Sequence, residues 1–333
     1  MISIRQPLFF SELGEKSNQE DSLFPAIADT QTRVFILCDG MGGHDYGEVA
    51  SQTVCYSLGT YLSSCSSVDI PTFDTGLSKA YDALDSLDCD TDKTPGTTMT
   101  CLCINPDNFL VSHIGDSRIY HIRPSLFNAK TKRGGILYQS SDHSLVNDLL
   151  KAGEITPEEA RDFPRKNVIT RAMQPYLDRR FAADTYVFDN VASGDYFFLC
   201  SDGVMEHLFT DTLCEILAST TLNDIEKLRA IKIICQTGTR DNYSCWLIPV
   251  DRVQIINRLP TSSTILASEA GISEPKIPRR KKIAKAINSF FTNSEAWQII
   301  SFYIWIFLSI ILVVFLLYIF LKLIPNYEPW PQR

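Results

Sequence analysis

The chain has 333 residues, of which 45% are hydrophobic and 21% charged, enough apolar material for one large domain or two ordinary ones. Its formal net charge of −8 argues against a dedicated nucleic-acid binder, because such proteins carry basic surfaces. Several of its ten cysteines stand singly in apolar runs, which is typical of buried thiols in a reducing compartment and disfavours a disulfide or zinc framework.

Short apolar runs and longer helical stretches, divided by Gly, Pro and Asp clusters, extend from about Ile4 to Val250. The patterns predict strands at Arg33–Cys38, Met99–Ile104, Asn108–Ile114, Ser117–Ile122, Tyr196–Cys200 and Ser244–Ile248. They predict helices at Gly47–Ser64, Asp74–Leu87, Ser144–Ala152, Asp211–Ala218 and Asn223–Cys235. Because the strands follow one another as in hairpins, without regular βαβ alternation, the predicted fold class is α+β.

The sequence changes character after the predicted domain at residues 1–250. Residues 251–296 have little periodicity and end in a basic segment, which indicates a linker. Residues 297–324 contain the apolar run Ile299–Leu321, long enough as a helix to cross a hydrocarbon layer of roughly 30 Å. Because the basic residues precede this run, we predict a single-pass membrane protein with a cytoplasmic domain, contact with the lipid bilayer, and a short tail at 325–333.

Four aspartates stand next to predicted strands, at the point where a strand ends or begins. They are Asp39, Asp116, Asp202 and Asp241. Any one of them is more simply a turn former, but carboxylates from several strand ends can converge at one end of a sheet. Hard cations such as Mg²⁺ and Mn²⁺ prefer oxygen ligands, and Gly40 could add its carbonyl oxygen. The shared context therefore favours a metal site.

A glycine-rich turn behind a strand is also compatible with a phosphate-binding loop. A P-loop requires Lys-Ser/Thr after its glycines, whereas His44 and Asp45 follow Gly43, and no G-x-G-x-x-G opens a helix. The stretch from Cys235 to Arg240 is similar to a thiol phosphatase loop, but it has four intervening residues where that loop has five, and no apolar strand precedes it. These departures leave the metal site as the prediction.

Seven short motifs follow one another over residues 1–250. They are Ser17-Asn18-Gln19-Glu20-Asp21, Asp39-Gly-Met-Gly-Gly-His44 with Gly47-Glu48-x-Ala50-Ser51, Gly96-Thr97-Thr98, Gly115-Asp-Ser-Arg118, Asp142-His-Ser144, Ser201-Asp-Gly203 and Asp241-Asn242. This ordered set resembles the PPM/PP2C family of metal-dependent protein serine/threonine phosphatases, in its bacterial form. The resemblance implies a PP2C-like β-sandwich of two antiparallel sheets flanked by helices, in α-β-β-α layers, with a Mn²⁺ or Mg²⁺ centre at one end.

The resemblance also implies which residues bind the cations. The metal-site residues would be Glu20, Asp21, Asp39, Gly40, Asp116, Asp202 and Asp241. Asp39 would bridge two ions, and Asp116 resembles the family position that contributes to a third, weaker site. A water bridged by the two ions would attack phosphorus in line, without a covalent enzyme intermediate.

Two positions depart from the pattern of the family. Many members place an arginine that binds the substrate phosphate where this chain has Lys16, and lysine offers a point charge without the bidentate fork. Eukaryotic relatives carry a histidine as general acid where this chain has Met41, so His44 becomes a candidate for that catalytic role. We therefore expect Asp39, Lys16 and His44 to be the catalytic residues, with Lys16 binding the substrate.

The function implied by the resemblance is a membrane-anchored phosphatase acting on phosphoserine and phosphothreonine. Its partners would be phosphoproteins and an opposing serine/threonine kinase, and Lys151–Met173 resembles the family's flap, which affects substrate choice. The alternative is a catalytically impaired relative that binds phosphoproteins as a scaffold or sensor. Pseudo-enzymes usually lose a metal carboxylate, so the presence of Asp39, Asp202 and Asp241 favours activity, whereas Lys16 is the one feature that favours the alternative.

Overall fold

Two antiparallel β-sheets form the centre of the computed structural model, which describes residues 2–42, 46–88, 95–161, 163 and 168–253. The strands are β1 (Ile2–Ile4), β2 (Leu8–Glu12), β3 (Asp21–Phe24), β4 (Val34–Met41), β5 (Gly96–Thr97), β6 (Met99–Ile104), β7 (Phe109–Ile114), β8 (Arg118–Ile122), β9 (Ile136–Gln139), β10 (Asp184–Phe188), β11 (Tyr196–Cys200) and β12 (Tyr243–Val253). One sheet has the order β1-β12-β11-β8-β9, with β2 also paired to β12. The other has the order β10-β7-β6-β4-β3, with β5 paired to β4.

Helices cover the outer face of each sheet. The α-helices in the described part of the chain are α1 (Tyr46–Ser63), α2 (Ile70–Asp85), α3 (Leu145–Lys151), α4 (Pro157–Arg161), α5 (Asp202–Met205), α6 (Thr210–Ala218) and α7 (Asp224–Cys235). Helices α1 and α2 pack on the sheet that contains β4, and α5, α6 and α7 pack on the sheet that contains β12. The predicted sandwich of two antiparallel sheets flanked by helices is confirmed.

The apolar core between the two sheets holds the sandwich together. Phe35 and Leu102 from one sheet meet Phe197 and Trp246 from the other, and all four are fully buried. The indole N–H of Trp246 donates a hydrogen bond of 3.2 Å across the sandwich to the carbonyl oxygen of Ile36. Because both faces of the central strands are covered, these strands are continuous apolar runs and show no alternation. Each such side chain stabilises the fold by about 1.5–3 kcal/mol.

The central strands agree with the sequence prediction more closely than the edge strands do. The predicted strands at Met99–Ile104 and Tyr196–Cys200 have the observed bounds, whereas the prediction omitted β1, β2, β3, β5, β9 and β10. These strands are short, and β2, β3, β9 and β10 carry partly exposed or polar residues. Their pairing with neighbouring strands, which a local pattern does not reveal, makes them strands.

Helix ends follow their capping residues. Helix α2 begins at Ile70, before the predicted start, because the Asp69 side chain accepts a hydrogen bond from the Thr72 N–H and a proline occupies the first turn. Helix α4, which follows Thr156, also has a capping residue at its start. There Thr156 Oγ1 accepts from the Glu159 N–H at 3.2 Å, and the Glu159 carboxylate accepts from the Thr156 N–H at 2.8 Å, which is a capping box.

The C-terminal predictions fall largely outside the described residues. Strand β12 continues to Val253, so the first three residues of the predicted linker belong to the sheet. The rest of the linker, the apolar segment at 297–324 and the tail at 325–333 lie outside the described residues. Among the helices that the structure describes, none combines the length and apolarity needed to cross a membrane. The nine cysteines within the described ranges are free thiols.

Candidate metal centre

Neighbouring strands place Asp21 and Asp39 side by side. Asp21 is the first residue of β3 and lies directly opposite Asp39 in the antiparallel pair with β4. Opposite residues in such a pair share one face of the sheet, with their Cβ atoms about 4.5–5.5 Å apart. Asp21 is only 7% exposed. Two carboxylates therefore meet at one end of the sandwich.

Three further aspartates reach the same place from other strand ends. Asp116 lies in the turn between β7 and β8, Asp202 follows β11 as the first residue of α5, and Asp241 precedes β12. Burial, followed by the charges of Asp21 and these three aspartates, raises the pKa of Asp39 far above its ordinary value. The structure thus brings Asp39 and the aspartates from the other strand ends close together.

The protonation of the enclosed carboxyl groups reflects this crowding. Burial raises the pKa of Asp21 to about 7, against the neighbouring hydroxyl groups of Ser244 and Ser201, which lower it. Burial and the charge of Asp202 raise the pKa of Asp116 to about 7 as well. Burial disfavours the ionised form of a carboxyl group, and like charges nearby act in the same direction. Binding of divalent cations would favour the ionised forms.

Asp202 occupies the most open position of the five. Burial and then the charge of Asp241 raise its pKa, while a hydrogen bond with Asp39 lowers it. Its side chain is nevertheless exposed to solvent on the cleft side, and solvent screens charge interactions there. The raised pKa of the more enclosed Asp21 is therefore the clearer sign of crowding among the carboxyl groups.

Two carboxylate oxygens at the centre have no hydrogen-bond donor among the described residues. Both Asp21 Oδ1 and Asp116 Oδ1 are buried and unpartnered. The other oxygen of Asp21 accepts a hydrogen bond of 2.8 Å from the Ser201 hydroxyl. A buried acceptor without a partner costs about 1–3 kcal/mol, and oxygen atoms of this kind are the ligands that Mg²⁺ and Mn²⁺ prefer. The residues present fit a centre of hard divalent cations.

Position 40 accepts only glycine because the chain is crowded there. A Cβ at Gly40 would lie 2.1 Å from the carbonyl oxygen of Gly47 and 2.7 Å from that of Glu20. The Gly40 N–H donates a hydrogen bond of 3.0 Å to the same Glu20 carbonyl. A Cβ at Gly47 would lie 2.5 Å from Glu20 Oε1. Gly40 and Glu20 are thus held together beside Asp39 and Asp21.

The polar residues that hold the aspartates include several that were given no role from the sequence. The Thr98 hydroxyl accepts from the Asp39 N–H at 3.0 Å, and the Thr98 N–H donates to the Asp39 carbonyl at 2.9 Å. The Asn242 side chain accepts from the Glu20 N–H at 2.7 Å and donates to the carbonyls of Leu13 and Asn18. Thr98, Ser201 and Asn242 all stand in the quoted motifs, which was the available signal.

The predicted phosphate-binding lysine lies at the edge of this centre. Lys16 Nζ is 2.8 Å from Asp241 Oδ1. The hydrogen bond to Asp241 raises the pKa of Lys16, against partial burial, and the charges of Glu20 and Asp39 act in the same direction. Lys16 is therefore a stable cation beside the aspartates. The second candidate, His44, lies outside the described residues.

A cleft of about 850 Å³ lies beside the centre. Asp116, Asp202 and Asp241 form part of its lining, together with the apolar side chains of Val146, Met205 and Phe209. Phe209 is 72% exposed. The cleft thus combines the carboxylates of the centre with an apolar surface.

Comparison with known proteins identifies relatives over most of the described chain. The model of the family described as Protein phosphatase 2C matches residues 11–230. The chain is 30% identical over 253 residues to a putative protein phosphatase 2C-type of Streptococcus pyogenes, which covers 72% of this chain and 94% of the relative. It is also 30% identical over 258 residues to the protein phosphatase PhpP of Streptococcus pneumoniae, covering 72% and 96% of the two chains.

A solved structure shares this fold. The catalytic domain of the serine/threonine protein phosphatase PstP, crystallised with two manganese ions, superposes with a TM-score of 0.61 at 26% identity. The match covers 75% of this chain and all of that domain.

Proposed function

Because the chain belongs to the protein phosphatase 2C family, we propose that it hydrolyses phosphoserine and phosphothreonine in proteins at the centre formed around Asp39. The predicted enzyme class, a protein serine/threonine phosphatase, is confirmed by these relatives. The predicted cofactors, Mn²⁺ or Mg²⁺, agree with the two manganese ions of the PstP domain. The proposal is carried by the convergence of five aspartates, two of which have a buried carboxylate oxygen without a hydrogen-bond partner among the described residues.

In this proposal, the side chains of the centre have separate roles. Asp39 and the carbonyl oxygen of Gly40 would hold cations, and Glu20 and Asp21 would act at the same centre partly through water. Asp202 and Asp241 would hold a second cation, and Asp116 would contribute to a third, weaker site. When bound, the cations supply an activated water and neutralise the charge of the substrate phosphate.

The hydrogen bonds around the centre support these roles by fixing the carboxylates. The Ser201 hydroxyl, which donates to Asp21, also accepts from the Ser244 N–H at 3.0 Å, so it is held in turn. Thr98 fixes the backbone of Asp39 from both sides. Residues that orient metal ligands in this way are a general requirement of metal sites. Lys16 would bind the substrate phosphate as a point charge.

The cleft supports a polypeptide substrate. A volume of about 850 Å³ lies within the range of pockets that hold ligands far larger than a phosphate group. The exposed Phe209 offers apolar contact to a side chain near the phosphorylated residue. We therefore favour phosphoproteins over small phosphate esters as the substrate class, with a serine/threonine kinase as the opposing enzyme.

The membrane anchor is a proposal from the sequence alone. We propose that the apolar segment Ile299–Leu321 crosses the bilayer and that the phosphatase domain lies on the cytoplasmic side.

The scaffold alternative retains only the substitution at Lys16 in its favour, whereas the carboxylates needed for cation binding are all present.

A hydrolysis assay separates the two functions directly. Purified protein should release phosphate from p-nitrophenyl phosphate and from a phosphothreonine peptide when Mn²⁺ is present, and should release almost none with a chelator. An Asp39→Asn variant, measured at saturating Mn²⁺, is the matched control for a contaminating phosphatase. Phosphopeptide binding without turnover in the unmodified protein would establish the scaffold function instead.

A further inference from the structure

A second group of metal-binding residue types lies outside the predicted ligand set. His113, His143 and Asp184 each offer a ligand atom, and these atoms lie within 4.8 Å of one another. His113 and His143 are 1% and 2% exposed, and Asp184 pairs with His113 across strands β10 and β7. Two histidines and a carboxylate are a common ligand set for transition metals, so a further metal site is the first interpretation.

The hydrogen bonds of His143 argue against that interpretation. The Gly115 N–H lies 3.1 Å from His143 Nδ1, and a backbone amide can only donate, so Nδ1 must accept. In a neutral imidazole the proton then resides on Nε2, the atom that a metal would need. The rings of His113 and His143 are also stacked, with centroids 4.7 Å apart and planes 13° apart. Nearly parallel rings do not direct two in-plane lone pairs to one ion.

The same contacts show that His143 and Gly115 are joined twice. Besides the bond to Nδ1, the His143 N–H donates a hydrogen bond of 2.9 Å to the Gly115 carbonyl. Gly115 has a φ of +104°, and a Cβ there would lie 2.6 Å from Thr98 Cγ2. The turn at Gly115 is therefore fixed between His143 and the residue that also holds Asp39.

The neighbouring residues reinforce this connection. Arg118, at the other end of the turn, makes a bidentate contact with Asp142, with distances of 2.8 and 2.6 Å. Asp142 and His143 are adjacent, so two successive residues of one segment hold both ends of the turn. Between these ends lies Asp116, whose Oδ1 is buried and unpartnered. The position of this oxygen depends on the geometry of the turn.

Contacts around the ring keep His143 in place. Nε2 lies 3.2 Å from Asp184 Oδ2, which is close enough for electrostatic attraction although the contact falls short of hydrogen-bond geometry. Burial lowers the pKa of His143, beyond the opposing effect of Asp184, which favours the neutral ring. His113 Nε2 lies 3.0 Å from the Ser141 carbonyl, which anchors the stacked ring to the same segment.

We propose that His143 is a positioning residue, which holds the Gly115 turn through Nδ1 and thereby aims the Asp116 carboxylate at the metal centre. Asp184 and His113 act one step further away, by fixing the ring of His143. This inference rests on the proposed function, because it assigns a support to one of the proposed metal ligands.

Two substitutions at position 143 separate positioning from packing. His143→Asn keeps an acceptor near the place of Nδ1, whereas His143→Leu has a similar volume but no acceptor. Mn²⁺ binding to the full-length protein, measured by titration calorimetry and by Mn²⁺ paramagnetic resonance, reports the number and affinity of the ions. We expect His143→Leu to lower the affinity for the most weakly bound Mn²⁺ about 10- to 100-fold, as is typical when a supporting residue is lost. The affinity of His143→Asn should remain close to that of the unmodified protein.

The Asp116→Asn variant provides the reference for site identity. It should lower the affinity for the same ion. The double variant with His143→Leu should bind that ion no more weakly than Asp116→Asn alone, because both changes act on one ligand. If His143→Leu does not fold, Asp184→Asn serves in its place, since Asp184 is partly exposed, and a smaller loss at the same ion is expected. Equal weakening of all ions, or normal Mn²⁺ binding by His143→Leu, would overturn the positioning role. Absence of Mn²⁺ binding in the unmodified protein would instead overturn the proposed function.

Discussion

Asp21 and Asp39 stand directly opposite each other in an antiparallel pair of strands, an arrangement that is destabilising for like charges. Their ordinary partners in a sheet would be a cation or an apolar residue. Here the charges of Asp202 and Asp241 add to the repulsion on both groups. Repulsion between these carboxylates thus destabilises the folded protein, and protonation or binding of divalent cations relieves it.

The stability of the metal-free protein should therefore fall as the pH rises through about 7. Folding raises the pKa of Asp21 from its ordinary value of 3.8 to about 7. Between these two values the folded state binds more protons than the unfolded state, so this contribution is greatest at low pH and is lost as pH increases. Thermal unfolding in chelator from pH 5.5 to 8.5 measures the effect, and Asp21→Asn should flatten the curve. A metal-free protein whose melting temperature rises steadily over this range would contradict the prediction.

Replacing Asp39 by asparagine should separate activity from stability. Turnover should fall by at least about 100-fold, because the carboxylate proposed to hold the cations loses its charge. In chelator and at the upper end of the pH range 5.5 to 8.5, where the carboxyl groups are most ionised, the same variant should melt at a higher temperature than the unmodified protein, because one of the repelling carboxylates is gone. Asp107→Asn, in the exposed turn between β6 and β7, is a control that should change neither quantity. A lower melting temperature for Asp39→Asn in chelator would show that repulsion is not the dominant effect.

Lys16 should affect substrate binding more than cation binding. Lys16→Ala should raise the KM for a phosphopeptide roughly tenfold, since a hydrogen bond to a charged group contributes about 1.5–3 kcal/mol, with a small effect on kcat. Lys16→Arg should retain or improve activity because its guanidinium can bind phosphate in a bidentate manner. Steady-state kinetics at saturating Mn²⁺ provide the test. Unchanged kinetics for the alanine variant would indicate an exposed lysine paired only with Asp241.

Phe209 should distinguish protein substrates from small esters. Phe209→Ala should raise the KM for a phosphopeptide by roughly fivefold or more, as expected for a contact worth over 1 kcal/mol, and should leave the hydrolysis of p-nitrophenyl phosphate unchanged. Ile225 of α7 is also apolar and is 60% exposed, but it does not line the cleft. Ile225→Ala is therefore the matched control. An equal loss with both substrates would point to a change in the centre itself.

The topology of the chain can be tested in cells. Basic residues precede the apolar segment, so the phosphatase domain should be protected when protease is added to intact spheroplasts and digested only after lysis. These residues are Lys276, Arg279, Arg280, Lys281, Lys282 and Lys285. Digestion of the domain before lysis would reverse the predicted orientation.

The sequence was sufficient to locate the carboxylates but not the residues that hold them. Asp39 and Asp202 stand at the ends of apolar runs, and this local feature is visible in the sequence. The bond from Ser201 to Asp21 joins residues 180 positions apart, and the bond from Gly115 to His143 joins residues 28 positions apart. No local pattern predicts such pairings, since they depend on which strands become neighbours.

The fold shows the same division. Buried strands such as Tyr196–Cys200 were predicted with their observed bounds because both faces are covered, which leaves an apolar run. The first residues of the chain were not predicted to form strands, since β1 and β2 become ordered by pairing with β12, more than two hundred residues later in the sequence. Tertiary pairing, which outweighs local propensity in sheets, accounts for these omissions.

The hydrogen bonds of Asn242 have a consequence for the order in which the protein is made. They connect the loop at Leu13, Asn18 and Glu20 to a residue near the end of the domain. The ribosome synthesises the loop near the start of the domain and Asn242 near its end. The growing chain therefore carries its early acidic residues without their final partners until β12 has emerged. Cation capture should begin only then, which makes assembly of the centre a late event in biosynthesis.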